Sequence, residues 1–116
     1  MKTDKQWFDE AVEEWQEFFE NSSVGYSSDP HSITECYAYR KILLMGYEAL
    51  PLIRKLYDRD DSGNFPLSCI KGHGLPQLVK DIVGKPFQVP EKIWGSIPRI
   101  EHYTKEWLDD NLEYLL

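Results

Sequence analysis

The side chains able to do chemistry in this 116-residue sequence are scattered rather than grouped. His31, His73 and His102 stand far apart, and neither a Cys-x-x-Cys nor a His-Glu-x-x-His spacing occurs, so no zinc site can be read. His73 lies between Gly72 and Gly74, a setting that would suit a mobile acid–base. No nucleophile or orienting carboxylate stands beside it in sequence, and a surface turn is the simpler reading. Asp58, Asp60 and Ser62, with Gly63 and Phe65, match the first half of an EF-hand calcium loop. Cys69 then falls where the loop needs a bidentate Glu, and Pro66 interrupts the exiting helix. The stretch therefore reads as a solvated turn, with Asp58, Asp60 and Ser62 as weak cation candidates. Glu101, His102 and Glu106 have the spacing of ordinary helix-surface pairs. No glycine loop of the phosphate-cradling kind precedes a helix. These residues imply no cofactor and no catalytic role.

Charge gives a sharper signal. The chain carries 13 basic and 20 acidic residues, a net charge of −7. Residues 1–29 hold eight of the acids and only two bases, Lys2 and Lys5. An excess of that sign opposes direct nucleic-acid binding, which needs cations to displace phosphate counterions, and opposes an anionic membrane surface. Cys36 and Cys69 are too few for a disulfide framework and read as reduced thiols. No apolar run resembling a signal peptide follows Met1-Lys2, and none has the length of a membrane span. A cytoplasmic protein is expected.

The elements that must position these groups follow from apolar periodicity. Thr3 and Gln6 fit a capping box. Trp7, Phe8, Ala11, Val12, Trp15, Phe18 and Phe19 then form an apolar stripe, with Glu10, Glu13, Glu14, Glu17 and Glu20 opposite. Residues 21–31 read as a loop rich in Ser, Gly, Asp and Pro. Ser32 and Glu35 fit a second capping box, opening a helix through Ile33, Cys36, Tyr37, Arg40, Leu43 and Leu44. Gly46 ends it, and Pro51 fits the first turn of the next helix, whose inner face is Leu50, Ile53, Leu56 and Tyr57. So short a connection predicts antiparallel neighbours. Phe65 to Ile70 predicts a helical turn, Lys71 to Gly74 a flexible joint, and Leu75 to Val83 a further helix. Pro86 and Pro90 forbid a regular helix over 85–97, which predicts an extended strap. Ser96 and Pro98 open the last helix, which ends on Leu115-Leu116, an apolar pair suited to helix one or another chain.

The fold expected is all-α: one domain over residues 1–116, a compact bundle of about five helices. Its centre is an antiparallel hairpin (33–45, 48–57), and a Pro-rich strap (85–97) lies across it. Met45 to Ile53 resembles the turn of a HEAT-like helical repeat. The run from Ala38 to Pro51 is similar to a family of small bacterial helical proteins that read HPAYQ, two aliphatics, then MG and ALP. Ile82 to Pro86, Val89-Pro90 and Trp107-Leu108 match its later part loosely, and Cys36-Tyr37 stands here where that family has His-Pro. The resemblance implies a fold and no activity.

Two functions suit this reading. The first is a protein–protein interaction module without catalysis, with Phe87, Ile93 and Trp94 as aromatic and aliphatic anchors. The second is an acidic inhibitor or antitoxin-like protein that blocks a nucleic-acid-processing enzyme through the glutamates of residues 10–20. Glu10, Glu13 and Glu17 would carry that contact. Either way the partner is a protein, and self-association is left open.

Overall fold

The computed structural model describes residues 3–20 and 36–115. The Ser32–Glu35 capping box, the 21–31 loop and the side chains of Leu115 and Leu116 lie outside that description. Among the described residues the structure is all-helical, without a strand. Helix α1 spans Asp4–Glu20. Its start matches the sequence reading: the Thr3 amide donates to Gln6 Oε1 at 2.9 Å, and the Gln6 amide donates to Thr3 Oγ1 at 3.1 Å. Two otherwise orphaned amides are thereby satisfied. Phe8, Ala11, Val12 and Trp15 face the core.

Helix α2 spans Tyr37–Met45 and buries Ala38, Tyr39 and Ile42. Cys36 is extended and lies just outside the helix, not within its apolar face. Gly46 ends α2 with φ +65° and ψ −140°, a conformation that favours glycine. A 3₁₀ turn, Gly46–Ala49, leads into helix α3, Leu50–Tyr57, with Pro51 in the first turn as expected. The two helices do not form the expected back-to-back hairpin. Helix α2 packs on α1, and α3 packs on the last helix. The extra turn redirects the chain, so each helix finds its own partner across the core.

Asn64 caps helix α4, Phe65–Cys69, by accepting a bond from the Leu67 amide at 3.1 Å. The expected joint at 71–74 is instead a packed π-helical turn, Ile70–Gly74, continuous with helix α5, Leu75–Val83. Lys71, Gly72 and Gly74 are buried there. The reason is tertiary: a Cβ on Gly72 would lie 2.8 Å from Ile97 Cγ2, so only glycine admits the approach of the last helix. Residues 85–96 are turns, a short extended piece and a 3₁₀ turn at Glu91–Ile93, and not one continuous strap. Helix α6 spans Ile97–Leu115, its first backbone bond running from the Ile100 amide to the Ser96 carbonyl at 3.0 Å.

Among the described residues these elements form four helical units in place of the about five separate helices expected: α1, the bent α2–α3 run, the continuous α4–α5 run, and α6. They share one apolar core. Trp15 meets Tyr39 edge-on at 5.6 Å between ring centroids, and Phe87 meets Trp107 edge-on at 5.1 Å. Such pairs add specific orientation to apolar burial. The Tyr39 hydroxyl also donates to the Asp81 carboxylate, tying α2 to α5. No described helix is long and apolar enough to cross a membrane.

Candidate interaction surfaces

Helices α1 and α2 meet along a seam that turns two unlike faces to solvent. On α2, Tyr39 and Ile42 point inward. Leu44 is two residues past Ile42, about 200° round the helix at 3.6 residues per turn, and so faces out. It is 84 % exposed. On α1, Phe8 takes the core position, which leaves Trp7 at the edge, 39 % exposed. Trp7, Leu44, Met45 and the Lys41 stem line a shallow hollow of about 360 Å³, rimmed by Asp4 and Glu48. An adjoining hollow of about 400 Å³ is lined by Trp7, Lys41 and the glutamates 10, 13, 14 and 17. Glu10, Glu13 and Glu17 are all exposed, so the structure gathers the three sequence candidates on one face.

Lys41 joins the two hollows. Its Nζ lies 2.8 Å from both carboxylate oxygens of Glu14 and 5.8 Å from the Trp7 ring centroid. The Trp7 indole donates to the Lys41 carbonyl at 3.3 Å. The ring is thus held from two sides.

The other sequence candidates are dispersed. Phe87 is 1 % exposed, packed between Tyr103 and Trp107, and is a core residue, not a partner contact. The prolines around it steer the backbone outside, but the ring turns in. Trp94 is 61 % exposed, its indole donating to the Val89 carbonyl at 2.8 Å. It borders a hollow of about 550 Å³, together with His73, Gln77, Lys80, Gln88 and Glu91. Ile93 is half-buried and lines a different hollow, with Pro98, His102 and Tyr103. Phe87, Ile93 and Trp94 therefore do not form one exposed cluster.

The weak cation candidates are turned to protein groups. Asp58 accepts from Arg54 Nη1 at 3.0 Å, which holds its carboxyl below the ordinary carboxylate range. Asp60 accepts from the Ser62 amide at 2.9 Å, which lowers its pKa likewise. Among the described residues no group of three or more His, Cys, Asp or Glu is arranged to hold a metal ion. Beside this turn, buried Lys71 donates to the Arg59 carbonyl at 2.7 Å, with Asp61 at 3.8 Å. Half-buried Glu101 faces the same cluster, and burial raises its pKa despite the nearby Lys71. Both cysteines are half-buried free thiols, pushed up by burial.

Sequence reading missed Trp7, Lys41, Leu44 and Met45 as surface contributors. The signal in sequence was weak: helical neighbours about 100° apart can both be buried, as Ala11-Val12 and Leu78-Val79 are, or straddle the edge of the buried face, as Trp7-Phe8 and Leu43-Leu44 do. Comparison with protein-family models, curated proteins and solved structures found no match.

Proposed function

We propose that this chain is a cytoplasmic protein–protein interaction module whose product is a complex and not a chemical change. The observation that carries the reading is the α1–α2 seam, where exposed Trp7 and Leu44 stand over half-buried Met45 beside a row of carboxylates. Water-exposed apolar side chains grouped in this way are recovered energetically when a partner covers them. Tryptophan is over-represented among residues that dominate binding energy. The Met45–Ile53 turn, with its HEAT-like resemblance, and the proline-containing 85–97 segment enter this reading only as scaffold.

The experiment is a differential capture. The chain and its Leu44→Gln variant are immobilised in parallel, exposed to the same cell extract, and compared by quantitative mass spectrometry. The expected result is a small set of proteins retained by the chain and lost with the variant. Identical retention on both would contradict the reading.

A second reading rests on a separate observation, the exposure of Glu10, Glu13 and Glu17 on one face of α1. Carboxylates at one-turn spacing could occupy the basic cleft of a nucleic-acid-processing enzyme. Such binding would fall steeply with salt and vanish when all three glutamates become lysine. Retention of the complex after that triple reversal would remove it.

A further inference from the structure

We infer that the α1–α2 seam is a docking site for a basic amphipathic helix of a partner protein, seated with its apolar face on Trp7 and Leu44 and its cations against the α1 glutamates. The inference rests on the interaction-module reading and names the chemistry of its occupant.

The charge around the two hollows selects that occupant. Among the described residues, Asp4, Glu10, Glu13, Glu14, Glu17 and Glu48 line them, with Lys41 the one basic side chain. A nucleic acid or an anionic lipid would be repelled. A second copy of the chain would bring like charge onto like charge, since a two-fold contact presents the same patch on both sides. A basic segment meets no such penalty, and the apolar strip fixes which way it lies.

The shape agrees. From Trp7 to Glu17 the face rises about 15 Å, at 1.5 Å per residue, which matches about three turns of a partner helix. A helix laid in a groove engages through residues at i, i+3, i+4 and i+7, the spacing that would keep an apolar stripe on the seam. Trp7 is already held by the Lys41 carbonyl and lies under the Lys41 ammonium. An anchor held in place before contact loses little freedom on binding. Lys41 occupies Glu14 in the free chain at 2.8 Å, and an incoming lysine or arginine would replace it there.

The probe is a labelled synthetic peptide of about four helical turns, with leucine at i, i+3, i+4 and i+7 and lysine elsewhere. A scrambled peptide of the same composition and a leucine–glutamate peptide of the same pattern serve as controls. Binding is read by fluorescence anisotropy at two salt concentrations. The leucine–lysine peptide is expected to bind the chain and to gain helicity. Its affinity should fall about tenfold with Leu44→Gln and about tenfold with Glu13→Lys plus Glu17→Lys, and stay unchanged with Trp94→Ala. The leucine–glutamate peptide should not bind. Equal affinity for the scrambled peptide, or indifference to Leu44→Gln, would reduce the effect to diffuse charge attraction and overturn the proposal. Absence of binding would overturn it as well. If the Leu44-dependent capture persisted in that case, the module reading would stand without this occupant. Loss of both would remove the two together.

Discussion

The Trp7 indole N–H donates to the Lys41 carbonyl at 3.3 Å, while the Lys41 ammonium sits 5.8 Å from the centre of the same ring. One residue of α2 thereby holds one residue of α1 by its backbone and by its side chain. The contact ties the two helices together and still leaves Trp7 39 % exposed, in a hollow that Leu44 also lines. The proposed binding surface and a contact of the fold share this point, and substitutions separate the two.

Leu44 contributes little to the fold, being 84 % exposed. Leu44→Gln keeps a helix-favouring side chain, and the expected change in unfolding free energy is within about 0.5 kcal/mol. Chemical denaturation checks this. A loss of several kcal/mol would show that Leu44 is covered in solution.

Glu13 and Glu17 are like charges one helical turn apart on an exposed face. Such a pair destabilises a helix, and Glu17→Lys converts it into a favourable one. The free chain is expected to gain about 0.3–0.5 kcal/mol while its affinity for a basic partner falls. A merely solvated face would show the gain in thermal unfolding without any loss of binding.

Phe87 and Trp94 look alike as anchors in sequence, but their burial, 1 % against 61 % exposed, predicts opposite behaviour. Phe87→Ala empties a site packed against Tyr103 and Trp107 and should cost about 3–5 kcal/mol. Trp94→Ala forfeits one bond to the Val89 carbonyl at the surface and should cost about 1 kcal/mol. Denaturant midpoints of the two variants, measured side by side, check the order.

The contrast between those two residues marks what the sequence discloses. The Thr3–Gln6 capping box and the first-turn prolines Pro51 and Pro98 were legible, because caps and proline stereochemistry act within a few residues. The all-helical class was legible for the same reason. What stayed hidden depends on distant neighbours. Gly46 ends its helix as read, but nothing local says that α2 goes to α1 and α3 to α6. Lys71 to Gly74 reads as a joint because two glycines are locally permissive, and only the arrival of Ile97 makes the segment rigid. The glutamate face was legible from spacing. Its apolar half was not, since spacing alone places Trp7 and Leu44 on the same apolar stripes as their buried neighbours.

Gly72 supplies a test of that packing. Gly72→Ala should destabilise the chain by about 1–3 kcal/mol, because the new methyl group meets Ile97 Cγ2. In an Ile97→Ala background the same change should stabilise by up to about 1 kcal/mol, the ordinary helical advantage of alanine. A double-mutant cycle by urea unfolding measures the coupling, and a value near zero would place Ile97 elsewhere.

Glu101 sets a pH dependence. Its pKa is raised in the fold, chiefly by burial, so the unfolded chain releases this proton more readily. Its ionisation therefore works against the fold once the pH exceeds the unfolded value of about 4.3, and costs nothing below it. Glu101→Gln is expected to be more stable than the parent at neutral pH, with the difference closing near pH 3. Thermal unfolding across that range checks the sign.

The most direct measurement is photo-crosslinking in cells, with a benzophenone amino acid placed at Leu44 and, as a control, at Tyr114, an equally exposed position on α6. The interaction reading expects a discrete adduct of defined mass from position 44, absent from position 114 and weakened by Glu13→Lys plus Glu17→Lys. No adduct at position 44, or the same adducts from both positions, would contradict it.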